Sequence, residues 1–126
     1  MELGELELAV LRAVRNLGPA TSGAIYEEVR KDRDVAYTSV TTTLYRLVDK
    51  DLISVRKKSE KKVYYRVKEG RAYRNAMSSM IDRVVDTFGG AAVSYLLANP
   101  GSLPEQQLAS LRTQVEKRRS KETRDG

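Results

Sequence analysis

A predicted helix that leads directly into two short predicted strands constrains this chain more than any other feature. Residues 38–50 repeat apolar side chains at the spacing of one helix face. Residues 53–55 and then 63–67 alternate apolar with polar side chains, as half-buried strands do. A lysine-rich turn at residues 58–62 separates them. The segment therefore predicts a helix that is followed by a β-hairpin.

Two further helices are predicted before this segment. The first carries apolar side chains at helical spacing over residues 6–17 and ends at Gly18 and Pro19. The second is short, with Thr21 or Ser22 as its N-cap. Three helices of which the second is short and joined by a tight turn to the third form a helix-turn-helix. With the hairpin added, residues 1–69 are predicted to form a winged helix-turn-helix domain.

Positive charge is concentrated on the third helix and the hairpin. Residues 38–68 contain nine Lys or Arg and three Asp or Glu, a net charge of +6, whereas residues 1–37 carry −2 and residues 69–126 carry +2. A basic patch on a helix-turn-helix and its wing is the electrostatic footprint of a protein that binds double-stranded DNA. DNA is therefore the expected partner.

The third helix offers a polar face for recognition. Thr38, Ser39, Thr42 and Arg46 share an outward face, and the N-terminal part of a recognition helix reaches the base edges. Hydroxyl groups bind either base type and threonine methyl groups suit a thymine methyl, while Arg46 suits a guanine or a phosphate. Three consecutive threonines disfavour a helix, which favours a functional role. The structural alternative is that small polar residues only permit close helix packing.

The remaining candidates each have a structural alternative as well. Tyr37, just before the helix, either donates its hydroxyl to a phosphate or packs as a half-buried aromatic with a wet tip. The wing lysines either neutralise phosphates or form a solvated turn. The predicted DNA-binding residues are Tyr37, Thr38, Ser39, Thr41, Thr42, Arg46, Lys57, Lys58, Lys61 and Lys62.

Residues 70–116 are predicted to form a helical dimerisation domain. Apolar residues recur at three- and four-residue steps up to residue 88, and shorter helices are predicted over 91–97 and after a capping box at 102–105. Three such helices close a poor core alone, which favours packing against a second copy of the chain. Residues 117–126 lack apolar side chains and are predicted to be a disordered basic tail. The predicted dimerisation residues are Tyr73, Met77, Met80, Ile81, Val84, Val85, Phe88, Leu96, Leu97, Leu108, Leu111 and Val115.

The composition excludes several classes of protein. The chain contains no Cys and no His, which removes disulfides, cysteine-based metal sites and the usual general base. We therefore expect neither an enzyme nor a bound cofactor or metal. No apolar run is long enough to cross a membrane and no basic segment precedes one at the N-terminus, so a cytoplasmic protein is expected.

The sequence as a whole resembles the penicillinase-repressor family of winged helix-turn-helix transcription regulators. The resemblance covers about residues 3–116 and rests mainly on AYTSVTTTLYRLVDKDLI, with LGELELAVLRAV, the GPAT turn, VYYRV and LPEQQLASLR in support. It implies a homodimeric repressor with an N-terminal winged helix and a C-terminal helical dimerisation domain, acting on an operator with inverted repeats. It also implies that the recognition residues are Thr38, Ser39, Thr41, Thr42 and Arg46.

The sequence departs from the family where the inducing signal acts. The β-lactam-responsive members are cleaved at an Asn-Phe bond, and the matching segment here is Tyr95-Leu96-Leu97-Ala98. The copper-responsive members carry a cysteine cluster that this chain lacks. The inducer is therefore open. A winged-helix module that binds protein within a larger assembly is the alternative function, and an activator or a nucleoid protein of low specificity fits the same residues.

Overall fold

The computed structural model describes residues 3–98, and within them five helices and one two-stranded antiparallel hairpin follow one another along the chain. The elements are α1 (Glu5–Leu17), α2 (Ser22–Arg30), α3 (Tyr37–Asp49), β1 (Ile53–Ser59), β2 (Lys62–Val67), α4 (Arg71–Phe88) and α5 (Gly90–Ala98). The predicted fold class, mainly α with a small β wing, is confirmed. The helix predicted after residue 102 and the predicted tail lie outside the described residues.

The three N-terminal helices enclose the first core. Thr21 caps α2, since its Oγ1 accepts a hydrogen bond from the Ala24 amide at 3.3 Å. Gly18 adopts a φ of 73° at the end of α1, in a region that favours glycine. The largest fully buried side chains of this core are Val10, Val14, Ile25, Val40, Leu44, Leu47, Leu52 and Ile53. The helical periodicity of the sequence therefore corresponds to the buried faces of the helices.

The hairpin is attached to the helices by backbone hydrogen bonds. Ile53 pairs with Val67, and Val55 pairs with Tyr65. Beyond the hairpin, Ala20 and Tyr65 exchange two backbone hydrogen bonds of 3.0 and 2.8 Å, which tie β2 to the turn before α2. Val55 is 46% exposed rather than half-buried, whereas Tyr65, its partner across the hairpin, is buried.

Helix α4 starts in the first compact unit, which extends to Ala76, and the described residues from 77 to 98 belong to a second unit. Ala76 is buried in the first core and Tyr73 packs against that core. In the second unit, Val85 on α4 and Val93 on α5 are buried together. No helix in residues 3–98 is long and apolar enough to cross a membrane. The domain boundaries at residues 69, 70 and 116 stay predictions.

A half-buried ion pair links α1 to the end of α3. The Lys50 ammonium donates to Glu7, whose side chain is only 15% exposed. Burial raises the pKa of the Glu7 carboxyl, but hydrogen bonds from Lys50 and from the Gly4 amide, with the charges of Lys50 and Arg46, outweigh it. The pKa of Glu7 therefore lies below its ordinary value of 4.5. The charged carboxylate stabilises the packing of α1 against α3.

The variant Glu7→Gln should lower the free energy of unfolding by about 1 kcal/mol at pH 7. Because the folded-state pKa of Glu7 is depressed, its contribution is present above pH 4.5 and is lost as the pH falls through the folded-state pKa. Urea unfolding at a series of pH values should show the two proteins converging below pH 4.5. Glu5→Gln, which removes an exposed charge from the same helix turn, is the control. A difference between Glu7→Gln and wild type that stays constant with pH would contradict this account.

Candidate nucleic-acid interface

The packing of α3 determines which of its side chains point outward. Val40, Leu44 and Leu47 are fully buried against α1 and α2. On the outward side the structure brings together four predicted recognition residues, all exposed: Thr38, Ser39, Thr42 and Arg46. Because one stripe of the helix is buried, the side chains on the opposite face are exposed together. This face of α3, together with Tyr45 and Asp49, is called the outward face below.

The three consecutive threonines have different environments. Thr43 is 3% exposed, and its Oγ1 donates to the Ser39 carbonyl oxygen at 2.7 Å. Thr41 is half-buried, and its Oγ1 donates to the Thr38 carbonyl oxygen at 3.0 Å. Such bonds to a preceding carbonyl satisfy the hydroxyl within the helix. Thr42 is the exposed member of the three, whereas Thr41, a predicted contact residue, lies at the edge of the outward face.

Tyr37 packs through its ring and keeps its hydroxyl at the surface, and its contact with a phosphate stays a prediction. Its ring meets the Tyr26 ring edge to face, with centroids 5.5 Å apart and planes at 86°. Its hydroxyl is 2.7 Å from the Ser22 Oγ, and the residue is 46% exposed. The Arg30 guanidinium lies over Tyr26, 5.8 Å from the ring centroid. The phenol therefore joins the start of α2 to the start of α3 while its hydroxyl stays at the surface.

Tyr45 belongs to the outward face but is absent from the predicted contact residues. It is 61% exposed and follows Thr38 and Thr42 at the spacing i, i+4, i+7, with Asp49 at i+11. Burial raises the pKa of Tyr65, and the phenols of Tyr45 and Tyr37 raise it further. The helical spacing of the sequence was a sufficient signal for the outward position of Tyr45.

The hairpin register divides the wing cations between two faces. Arg56 pairs with Tyr64, and Lys57 pairs with Val63 on the opposite face. The Lys58 ammonium lies over the Tyr64 ring at 5.2 Å from its centroid, which places Lys58 on the face of Tyr64. Lys62 shares that face by strand alternation. This basic wing face also holds two arginines that the prediction omitted, Arg56 and Arg66.

Arg66 is held in place within the basic wing face. Its Nε donates to the Ser54 Oγ across the hairpin at 3.3 Å. Lys57 points to the side of the half-buried Val63, and Lys61 lies in the turn between the strands. The structure therefore places all four predicted wing lysines at an exposed end of the hairpin, but only Lys58 and Lys62 share a face with the two arginines. These cations and the outward face of α3 belong to the same compact unit.

The predicted dimerisation residues do not share one environment. Tyr73 packs on the first core. The cluster in the second unit includes Ile81, Val85, Leu96 and Leu97. Met77 is half-buried. Leu108, Leu111 and Val115 lie outside the described residues. Three remain exposed on α4: Met80 at 37%, Val84 at 41% and Phe88 at 68%.

An apolar groove of about 410 Å³ lies on the second unit. It is lined by Val84, Phe88, Ala91, Ala92, Tyr95 and Leu96. Two exposed predicted dimerisation residues, Val84 and Phe88, therefore open onto one continuous apolar surface. Among residues 3–98, no group of three or more Asp or Glu side chains is arranged to hold a metal ion.

Comparison with known proteins identifies the class of regulator. The sequence model of the penicillinase repressor family matches residues 3–117. The fold is similar to that of BpsR from Bordetella bronchiseptica, whose DNA binding is regulated by 6-hydroxynicotinic acid, with 22% identity, a TM-score of 0.50, and coverage of 80% of this chain and 76% of that one. At this identity the likeness shows a shared fold.

A second solved structure, NMB1585, a MarR family regulator from Neisseria meningitidis, is 20% identical with a TM-score of 0.45, and the match covers 95% of this chain and 81% of that one. No curated protein matches the chain significantly.

The basic wing face should contribute to DNA affinity through phosphate neutralisation. Lys58→Gln combined with Lys62→Gln should reduce the slope of log affinity against log salt concentration by about 2, one unit for each lost phosphate contact. Fluorescence anisotropy titrations from low to moderate salt measure the slope. The comparison is Lys57→Gln combined with Lys61→Gln, which should change the slope less. An unchanged slope in the first pair, or a larger change in the second, would show that this face does not contact DNA.

Proposed function

Because the chain belongs to the penicillinase repressor family, a family of DNA-binding transcription regulators and not of enzymes, we propose that it is a homodimeric repressor of a pseudo-palindromic operator. The observation that carries the proposal is the outward face of α3, which lies in one compact unit with the basic wing face. The exposed hydroxyl groups and Arg46 read bases or bind phosphates, while the wing cations supply affinity that does not depend on sequence. On this proposal the protein acts on DNA in the cytoplasm.

The exposed apolar surface of the second unit supports the homodimer. Met80, Val84, Phe88 and Tyr95 are all exposed large apolar side chains within residues 77–98. An apolar surface of this kind on a small domain marks an interaction site. A second copy is the simplest occupant, because a two-fold interface pairs each patch with itself. The two recognition helices would then bind two half-sites related by the same symmetry, which makes the operator a pseudo-palindrome.

Repression follows from occupancy of a promoter, and its release requires a signal outside the two mechanisms suggested by the family. The segment that matches the cleavage site reads Tyr95-Leu96-Leu97-Ala98, without an Asn-Phe bond, and the chain contains no Cys for copper binding. We therefore propose that neither cleavage at an Asn-Phe bond nor copper binding by cysteines induces this regulator.

Selection from a random duplex library should recover a two-fold symmetric site that the protein binds more tightly than a scrambled duplex. Arg46→Ala should weaken binding to the selected duplex by roughly 1–3 kcal/mol if Arg46 contacts a base, and should weaken both duplexes equally if it contacts a phosphate. Gel-shift titration measures both. Arg15→Ala, an exposed arginine on α1, is the matched control. Equal wild-type affinity for the selected and scrambled duplexes would overturn the proposed function.

Phe88→Asp should convert the protein to a monomer. The substitution removes the apolar burial of the phenyl ring, roughly 2 kcal/mol for each copy, and places a charge in the interface. The dimer dissociation constant should rise by at least about 100-fold. Sedimentation velocity at several concentrations measures the change. Ser94→Asp introduces the same charge at an exposed position of α5 that does not line the groove, and it should remain dimeric. A wild-type protein that sediments as a monomer would exclude the homodimer.

A further inference from the structure

Tyr45 is an unusual residue for the surface of a small DNA-binding unit. At 61% exposure it exceeds the other exposed large apolar side chains described in the first unit, which are Leu17 at 40%, Tyr37 at 46% and Val55 at 46%. Tyr37 is held by Tyr26 and Ser22, whereas Tyr45 leaves most of its ring in solvent. A tyrosine at the surface combines an apolar ring with a polar hydroxyl, and such side chains are enriched at interfaces.

The position of Tyr45 on α3 directs its ring toward the N-terminal part of the helix. In a helix a long side chain leans toward the N-terminus and covers the turn before its own Cα. The ring of Tyr45 therefore covers the surface beside Thr41 and Thr42 rather than the end of α3. This is the part of a recognition helix that approaches base edges.

The chemistry of the surrounding surface is apolar and weakly polar rather than cationic. Thr38, Thr42 and Tyr45 form one line along the helix and present two hydroxyl-bearing side chains with methyl groups and a phenol ring. Arg46 follows Tyr45 by one residue, a step of about 100° round the helix, so it lies beside this line rather than on it. Guanine offers two acceptors that suit arginine, whereas thymine offers a C5 methyl group that suits an apolar contact.

We propose that Tyr45 is a specificity-determining residue that reads the C5 methyl group of a thymine in the major groove. The inference rests on the proposed function, since it needs the outward face of α3 to enter DNA. The phenol ring supplies the apolar contact, and its hydroxyl stays at the rim, where water satisfies it. Asp49, one turn further along the same line, carries a negative charge that disfavours a phosphate at that end of the helix.

The test replaces each thymine of the selected duplex in turn by deoxyuridine, which removes only the C5 methyl group. At one position in each half-site, wild-type affinity should fall about fourfold, the equivalent of one buried methyl group. Tyr45→Ala should bind the unmodified duplex less tightly and show no further loss at that position. Tyr45→Phe should keep the wild-type sensitivity, because the ring makes the contact. Fluorescence anisotropy measures every combination.

Thr42→Ser is the matched comparison, because it removes a methyl group from the same line and keeps the hydroxyl. Loss of the deoxyuridine effect in Thr42→Ser, with the effect retained in Tyr45→Ala, would assign the thymine to Thr42 and overturn the proposal. An unchanged affinity profile in Tyr45→Ala would also overturn it and would point to a protein partner for the ring. Failure of wild type to select any duplex is a different result, which overturns the proposed function itself.

The variants should fold normally, which keeps these outcomes interpretable. Tyr45 is largely exposed, and alanine favours a helix more than tyrosine does. The thermal midpoint of Tyr45→Ala should therefore not fall below that of wild type. Its affinity for a scrambled duplex at low salt should also be unchanged, because that binding depends on the wing cations. A general loss of binding to all duplexes would contradict a role confined to one base.

Discussion

The burial of one stripe of α3 is the constraint on which the rest of the candidate DNA-binding surface depends. Val40, Leu44 and Leu47 are completely enclosed, and each contributes roughly 1.5–3 kcal/mol of apolar burial. A rotation of the helix by one residue would expose part of this stripe and bury a hydroxyl or a charge. The orientation of α3 is therefore fixed by its core, and Thr38 and Thr42 point outward as a consequence of what lies behind them.

The sequence predicted the helices and strands more completely than it predicted the contacts of individual side chains. Helical spacing predicted α1 to α3 and strand alternation predicted the hairpin, because both periodicities report a single buried side. The environments of Thr41 and Thr43 were not predictable. A threonine hydroxyl in a helix either bonds to a carbonyl one turn back or points to solvent, and the sequence does not distinguish the two. The two faces of the wing also required the register, which depends on how the turn at residues 60 and 61 closes.

The second half of the chain shows a different limit of prediction from sequence. A stripe of apolar residues along a helix predicts that the stripe is covered, but not by what. Tyr73 was expected at a dimer interface, and in the structure it packs on the winged-helix core together with Ala76. Val85 satisfies its burial within its own unit through Val93. Phe88 and Val84, from the same stripe, stay exposed, and the sequence alone does not separate these groups.

The pair of backbone hydrogen bonds between Ala20 and Tyr65 has a mechanical consequence. It forms an isolated β-bridge beside the hairpin, so the wing is anchored at its base to the turn before α2 as well as to the end of α3. The base of the wing is therefore tied at two places to the unit that carries α3, and a displacement of that base would have to break backbone hydrogen bonds.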